Sequence, residues 1–224
     1  ILPSPFPQEN LCLLVCDRIS TLYRQREKTK EAVARSITSL IKQKKGNYLL
    51  FFPSYKYMTM VHEVFTEPLL PSESPPRGQG MRSRGAFLKN RPPTPPKKLL
   101  INNLLGDETL LEVIVQTPGM SEGERDEFLE QFDRENNSDS TLVGFAVMGG
   151  VFGEGIDLVG DRLTGAVVVG VGLPAICLER ELIREYFINP DQGGRGFEYA
   201  YLYPGINRVL QAAGRVIRSE KDRG

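Results

Sequence analysis

The sequence predicts an α/β domain, a mostly parallel central sheet covered by helices on both faces, and three observations predict it. Short apolar runs rich in β-branched and aromatic residues recur at 11–15, 48–52, 112–115, 142–147, 166–171 and 199–203. Their unbroken hydrophobicity is that of strands buried on both sides. Between them, apolar residues recur at helical spacing, and strands that alternate with amphipathic helices imply βαβ units. The length, 224 residues, suffices for one sizeable core. Ligands of such sheets sit beyond the carboxyl ends of the strands, so the loops after the strands are where chemistry is sought.

Taken in order, the run at 11–15 predicts a first strand, with Cys12 and Cys16 as core residues on it. Val33, Ile37, Leu40 and Ile41 mark a helix. The run at 48–52 is the second strand, and the helix after it carries His62 on its surface. After the strand at 112–115, Ser121 and Glu124 form a capping box that opens a helix bearing Phe128, Leu129 and Phe132. The strand at 142–147 runs into a glycine-rich loop. Leu178, Leu182, Ile183, Tyr186 and Phe187 mark a helix between the strands expected at 166–171 and 199–203. On the last helix Ile206, Val209, Leu210, Ala213 and Ile217 fall within about 50° of one direction, a core stripe, with Arg208, Gln211, Arg215 and Arg218 opposite.

Composition excludes several classes. Twenty-eight basic residues balance 28 acidic ones, which argues against a polyanion-coating protein. Three cysteines without zinc-type spacing fit a reducing cytoplasm or nucleus. No apolar run reaches 18 residues, and the opening residues hold too many prolines for a signal peptide, so no membrane segment is expected. A single histidine excludes histidine triads and multi-histidine metal sites, and no metal site is expected. Asp107-Glu108 and Asp126-Glu127 read as solvated surface. No phosphate-binding G-x-x-x-x-G-K-[ST] run is present; Gly160 to Gly165 is followed by Ala166 and lacks the lysine. Residues 68–98 hold eight of the 16 prolines and seven basic residues against Glu73 alone, a net +6. That composition reads as a flexible insertion, either a plain solvated loop or a basic arm that tracks nucleic-acid phosphates.

Two stretches carry chemistry. Arg208, Gln211, Arg215 and Arg218 on one face, with no acid until Glu220, are either a solvated basic face or a surface awaiting an anion. Gly214 among them costs about 1 kcal/mol of helix stability relative to alanine, which suggests close approach by another surface. Gly149-Gly150-Val151-Phe152-Gly153-Glu154-Gly155-Ile156-Asp157 follows a buried strand. Its glycines permit close backbone approach, and Glu154 and Asp157 can accept bonds from ribose hydroxyls or hold an arginine; tight-turn packing would explain the same glycines.

At these residues the sequence resembles the carboxyl-terminal RecA-like motor lobe of superfamily 2 DNA helicases of the XPD/DinG type. Gln211-Ala212-Ala213-Gly214-Arg215-Val216-Ile217-Arg218 is similar to motif VI of that family, the run at 149–161 to motif V, and Phe51-Phe52-Pro53-Ser54-Tyr55-Lys56-Tyr57-Met58 to motif IV. Gly172-Leu173-Pro174 stands where the family has Gly-Val-Pro. The resemblance implies that residues 1–224 are the second RecA-like lobe, a fragment of an ATP-dependent helicase of the DNA-repair kind, inactive alone. It further implies Arg215 and Arg218 as arginine fingers, with Gln211, Asp157, Glu154 and Gly155 lining the nucleotide. Ser54, Tyr55, Gly150 and Gly153 would contact single-stranded DNA. ATP and Mg2+ would be held mainly by an amino-terminal motor lobe, the principal partner. An iron–sulfur cluster, where the family has one, belongs to that preceding part and not to this chain. The alternative is a nucleic-acid-binding or adaptor module that keeps the lobe without the motor, with the basic segment as its working part.

Overall fold

The computed structural model describes residues 7–67, 97–101, 109–133, 140–149, 152, 162–189, 194–217 and 219–224. In chain order these form α1 (Arg26–Ile41), β1 (Asn47–Phe52), α2 (Tyr55–Thr66), β2 (Lys97–Ile101), β3 (Thr109–Val115), α3 (Glu122–Glu130), β4 (Ser140–Val147), β5 (Gly165–Val168), α4 (Leu178–Ile188), a π-helical turn (Glu198–Leu202) and α5 (Tyr203–Ala213). The strands lie in the order β2-β3-β4-β1-β5. Four are mutually parallel, with Asn47 opposite Leu142 and Tyr48 opposite Gly165. The predicted class is therefore the observed one: an α/β, RecA-like lobe. β2, an antiparallel edge strand on β3, is an addition to the expected plan. Lys97 and Lys98, read with the basic insertion, open that strand; residues 68–96 lie outside the described residues.

Alternation along the central strands divides the core in two, because successive side chains leave a strand on opposite sides. Tyr48, Leu50, Phe52, Val143 and Phe145 meet Val33, Ile37 and Ile41 of α1 and Met58, Val61 and Phe65 of α2. Leu49, Phe51, Leu142 and Ala146 meet Phe128 and Phe132, the buried Phe152, and Ala212, Val216 and Ile217 near the end of the chain. Aromatic rings fill the first cluster, where Phe145 stacks on Phe52 at 5.7 Å between centroids. Burying each such side chain is worth about 1.5–3 kcal/mol. The capping box of α3 is formed: the Ser121 N–H donates to Glu124 Oε2 at 2.6 Å, and the Glu124 N–H to Ser121 Oγ at 3.4 Å.

Several expectations are corrected. Residues 11–15 carry no regular secondary structure and lie outside the sheet, and Leu13, Leu14 and Val15 are 72%, 71% and 81% exposed. A cavity of about 870 Å³, lined by Leu11, Leu13, Val15, Ile37 and Val168 among others, separates them from the edge of β5. Here Cys12 bonds the last residue instead, donating its N–H to the Gly224 carbonyl at 2.7 Å. Cys12 and Cys16 are accordingly exposed, not core. The run at 199–203 is helical. Its aromatics pair at helical spacing, Phe197 with Tyr201 at 5.7 Å and Tyr199 with Tyr203 at 5.3 Å, and Pro204 suits a helix start. His62 is half-buried, edge-on to Phe145 at 5.1 Å, rather than a surface residue. Asp126 and Glu127 are exposed on α3, while Asp107 and Glu108 lie outside the described residues. Among the described residues no helix is long and apolar enough to cross a membrane, and no three His, Cys, Asp or Glu side chains gather as a metal site needs.

Candidate functional site

Because β1, β3, β4 and β5 are parallel, the segments that leave them gather at one edge of the sheet. Ser54, just after β1, is the N-cap of α2 and accepts the Tyr57 N–H at 3.4 Å. Gln116, just after β3, is buried and holds three pieces together. Its N–H donates to the Phe145 carbonyl at 2.8 Å, its Oε1 accepts the Val147 N–H at 2.8 Å, and its Nε2 donates to the Tyr55 hydroxyl at 2.9 Å. Tyr55 is half-buried, and burial raises its phenol above the usual range despite the Arg125 charge and the Gln116 bond, so the hydroxyl stays neutral. The end of β4 is fixed to the end of β1 by the Met148 N–H, which donates to the Phe52 carbonyl at 2.8 Å.

Gly149 then turns the chain with φ +73°, a left-handed torsion that favours glycine. A Cβ at this position would lie 3.0 Å from Nε of Arg208 and 3.2 Å from its Cζ, so the guanidinium occupies the space over the glycine backbone. Arg208 also donates from Nη1 to the Gly172 carbonyl at 3.0 Å, in the strap that follows β5. One turn earlier on α5, Gly205 sits so close to that strap that a Cβ would lie 2.9 Å from both Leu173 Cδ2 and Val171 Cγ1. Phe152, three residues past Gly149, is fully buried with its ring 4.6 Å from that of Phe128.

From this edge α5 descends along the second face of the sheet. Gly214 ends it, with φ −67° and ψ 0°, its N–H donating to the Leu210 carbonyl at 2.8 Å. Arg215 follows beyond the helix end and is only 8% exposed, flanked by the core residues Val216 and Ile217. Val216 in turn lies against Gly224, which lies against Thr164, the residue before β5. The chain around Arg215 thus sits toward the amino end of the strands, and Arg208 at the carboxyl end. Ser219 donates its N–H and its hydroxyl to the two carboxylate oxygens of Asp222, each at 2.7 Å, closing the turn that follows.

The expected single basic stripe is not formed. The side of α5 turned inward carries Gly205, Arg208, Val209 and Ala212, about one residue, or 100°, round from the predicted one. Leu210, placed in the core stripe by spacing, is 62% exposed. Arg208 is half-buried at the strand ends, Gln211 is exposed on α5, and Arg215 is past the helix. Gly214 terminates the helix rather than admitting another surface; a Cβ there would meet the Leu210 carbonyl at 3.2 Å. Ser54 and Tyr55 stand together at the strand ends as expected. Gly150, Gly153, Glu154, Gly155, Asp157 and Arg218 lie outside the described residues. Two contacts that shape these strand ends escaped the sequence reading: those of Gln116, a polar residue just after a buried strand, and those of Arg208 with the Gly149 and Gly172 backbone, signalled only by Gly205 three residues before it.

Residues 37–224 match the family described as the helicase C-terminal domain. The whole chain aligns at 22% identity with a probable ATP-dependent helicase of Methanocaldococcus jannaschii and spans 29% of that protein. Solved structures that share its fold include two of XPD. An XPD helicase superposes over 92% of this chain and 28% of its own, with a TM-score of 0.55 at 17% identity. An apo form of XPD superposes over 92% of this chain and 32% of its own, with a TM-score of 0.54 at 18% identity. The chain therefore spans less than a third of each of these proteins.

Proposed function

The chain belongs to the helicase C-terminal domain family, and on that premise we propose that it is the second motor lobe of an ATP-dependent DNA helicase. The observation that carries the proposal is the extent of the family match, which takes in the strand-end segment at 53–55, the glycine-rich run after β4 and the Gln211 to Arg218 run in one lobe. An amino-terminal lobe would hold most of the nucleotide together with Mg2+, the ion that neutralises phosphate charge. The residues of this lobe would complete the site from across a cleft.

Arg215 and Arg218 supply the charge. A guanidinium presents a planar fork of donors that fits phosphate oxygens, and two of them stabilise a γ-phosphoryl group in transfer. Arg215, buried just before the core residues Val216 and Ile217, cannot sweep toward a distant phosphate; the lobes must close to bring the phosphate to it. Hydrolysis is in this way tied to closure. Gln211 senses the nucleotide from the exposed side of α5, and Asp157, Glu154 and Gly155 line the same cleft. A single DNA strand runs over the carboxyl ends of the strands, with Ser54, Tyr55, Gly150 and Gly153 as its contacts. Closing and opening then advance the lobe along that strand in a cytoplasmic or nuclear setting.

The test uses the full-length protein that carries this chain. Arg218→Ala is expected to lower ATP turnover by about 10³-fold while leaving single-stranded DNA affinity unchanged, and residues 1–224 alone should show no turnover above background. Parallel loss of turnover and DNA affinity would instead place Arg218 on the DNA. A full-length protein that binds DNA without any ATPase would favour the non-motor module.

A further inference from the structure

We infer that Arg208 is a positioning residue that couples the strand-contact end of this lobe to its nucleotide end. The inference rests on the motor reading above and deepens it. Arg208 is held by main chain from two separate loops: its guanidinium covers the backbone of Gly149, and its Nη1 donates to Gly172. Those loops leave the two strands β4 and β5, which do not pair with each other but flank β1 on either side. A single side chain thus spans the central strand and fastens both exits to α5. Gly205 makes the span feasible, because only a residue without Cβ lets α5 come close enough to Val171 and Leu173.

The other end of α5 leads directly into Gly214 and the buried Arg215. A helix is stiff along its axis, so Arg208 and the Gly214 cap move as parts of one rod, and Arg215 is the residue that follows its end. A strand seated on the carboxyl ends of β1 and β4 displaces Gly149, and the displacement passes through the guanidinium to the rod and on to Arg215. Guanidinium is required for this. Its flat, delocalised plane can lie on a peptide group while donating in its own plane, and a lysine ammonium, a point charge with no plane, cannot.

The experiment compares basal and single-stranded-DNA-stimulated ATP turnover in the full-length protein and in its Arg208→Ala, Arg208→Lys and Gly205→Ala variants, with an oligothymidylate as the probe. Arg208→Ala is expected to lower the ratio of stimulated to basal turnover by about tenfold, within the usual range of coupling between sites, with basal turnover and oligonucleotide affinity unchanged. Arg208→Lys keeps the packing of the stem and one donor, so it restores the thermal midpoint but not the ratio. Gly205→Ala, which wedges α5 away from the strap without altering any charge, lowers the ratio in the same way. An Arg208→Ala and Gly205→Ala double variant loses no more than either single one, because both cut the same connection. Equal loss of basal and stimulated rates, or an unchanged ratio, overturns the inference. A parent protein with no stimulated turnover at all overturns the motor reading instead, and the coupling with it.

Discussion

The two faces of the sheet are covered in different ways. On one, α1 and α2 lay regular amphipathic stripes over Tyr48, Leu50, Phe52 and Phe145, and the cluster is closed by helix residues. On the other, α3 and α5 reach the sheet with fewer residues, and Phe152 from the segment after β4 and Val216 and Ile217 beyond a helix end complete the cover. The residues proposed to meet nucleotide at the far end of α5 hang from this second face. The first face is covered by regular helix stripes, with only the start of α2 among the proposed contacts, while the second is completed by residues held at loop and helix ends.

Phe145 and Phe152 offer the largest break in that comparison, since both are fully buried phenylalanines on opposite faces. Truncation of a buried phenylalanine to alanine costs about 3–5 kcal/mol, and the cost depends on how far the site can collapse. Phe145→Ala, set in a rigid strand among Phe52, His62 and Phe65, should lie at the top of that range in urea unfolding. Phe152→Ala, whose ring meets one other ring among the described residues, that of Phe128, should lie at the bottom yet cost more ATPase in the full-length protein. The reverse order would show that the second face, not the first, holds the lobe together.

A smaller effect probes the strand ends. Gln116→Leu removes the acceptor of the Val147 N–H and the donor to Tyr55 at once. Leaving such groups without a partner costs about 1–3 kcal/mol, read from the shift of the urea midpoint, and backbone exchange at Val147 should rise. Unchanged exchange there would mean that the pairing of β1 with β4 suffices to hold the edge.

The smallest effect lies at the start of α3. The bond accepted from the Ser121 N–H, reinforced by the Ser121 hydroxyl, holds the Glu124 carboxyl below its ordinary range. A carboxyl whose folded value is depressed contributes fully above its unfolded pKa, about 4.3, and loses that contribution as pH falls through the folded value. Amide protection in the first turn of α3, relative to the intrinsic exchange rate at each pH, should therefore fall on acidification below about pH 4, and Glu124→Gln should remove the dependence. An identical acid profile in both proteins would assign the change to some other group.

The strands β1, β3, β4 and β5 were legible because burial on both faces leaves an unbroken apolar run. The run at 11–15 has the same composition but no sheet neighbour, and composition does not encode the neighbour. At 199–203 a five-residue apolar run fits strand and helix alike, and only the aromatic spacing of four favoured the helix. The phase of α5 was misread because its inward side, apart from Val209, is built from a glycine, an arginine and an alanine, which weigh little in a hydrophobic pattern, while Ile206 and Leu210 turn outward. Part of the site could be read locally: Ser54 before a helix, glycines after a strand. Gln116 could not, because its partner Tyr55 stands 61 residues away and nothing in either neighbourhood names the other.

Gly149 has a consequence in handedness. Its torsion, φ +73°, is one that a mirror-image residue adopts at ease and an L-residue does not, and the volume where an L side chain would begin is filled by Arg208. Backbone chirality and packing thus exclude the same atom on independent grounds. The position is in effect an L-residue chain's use of a D-residue, written with the only coded amino acid that has no hand.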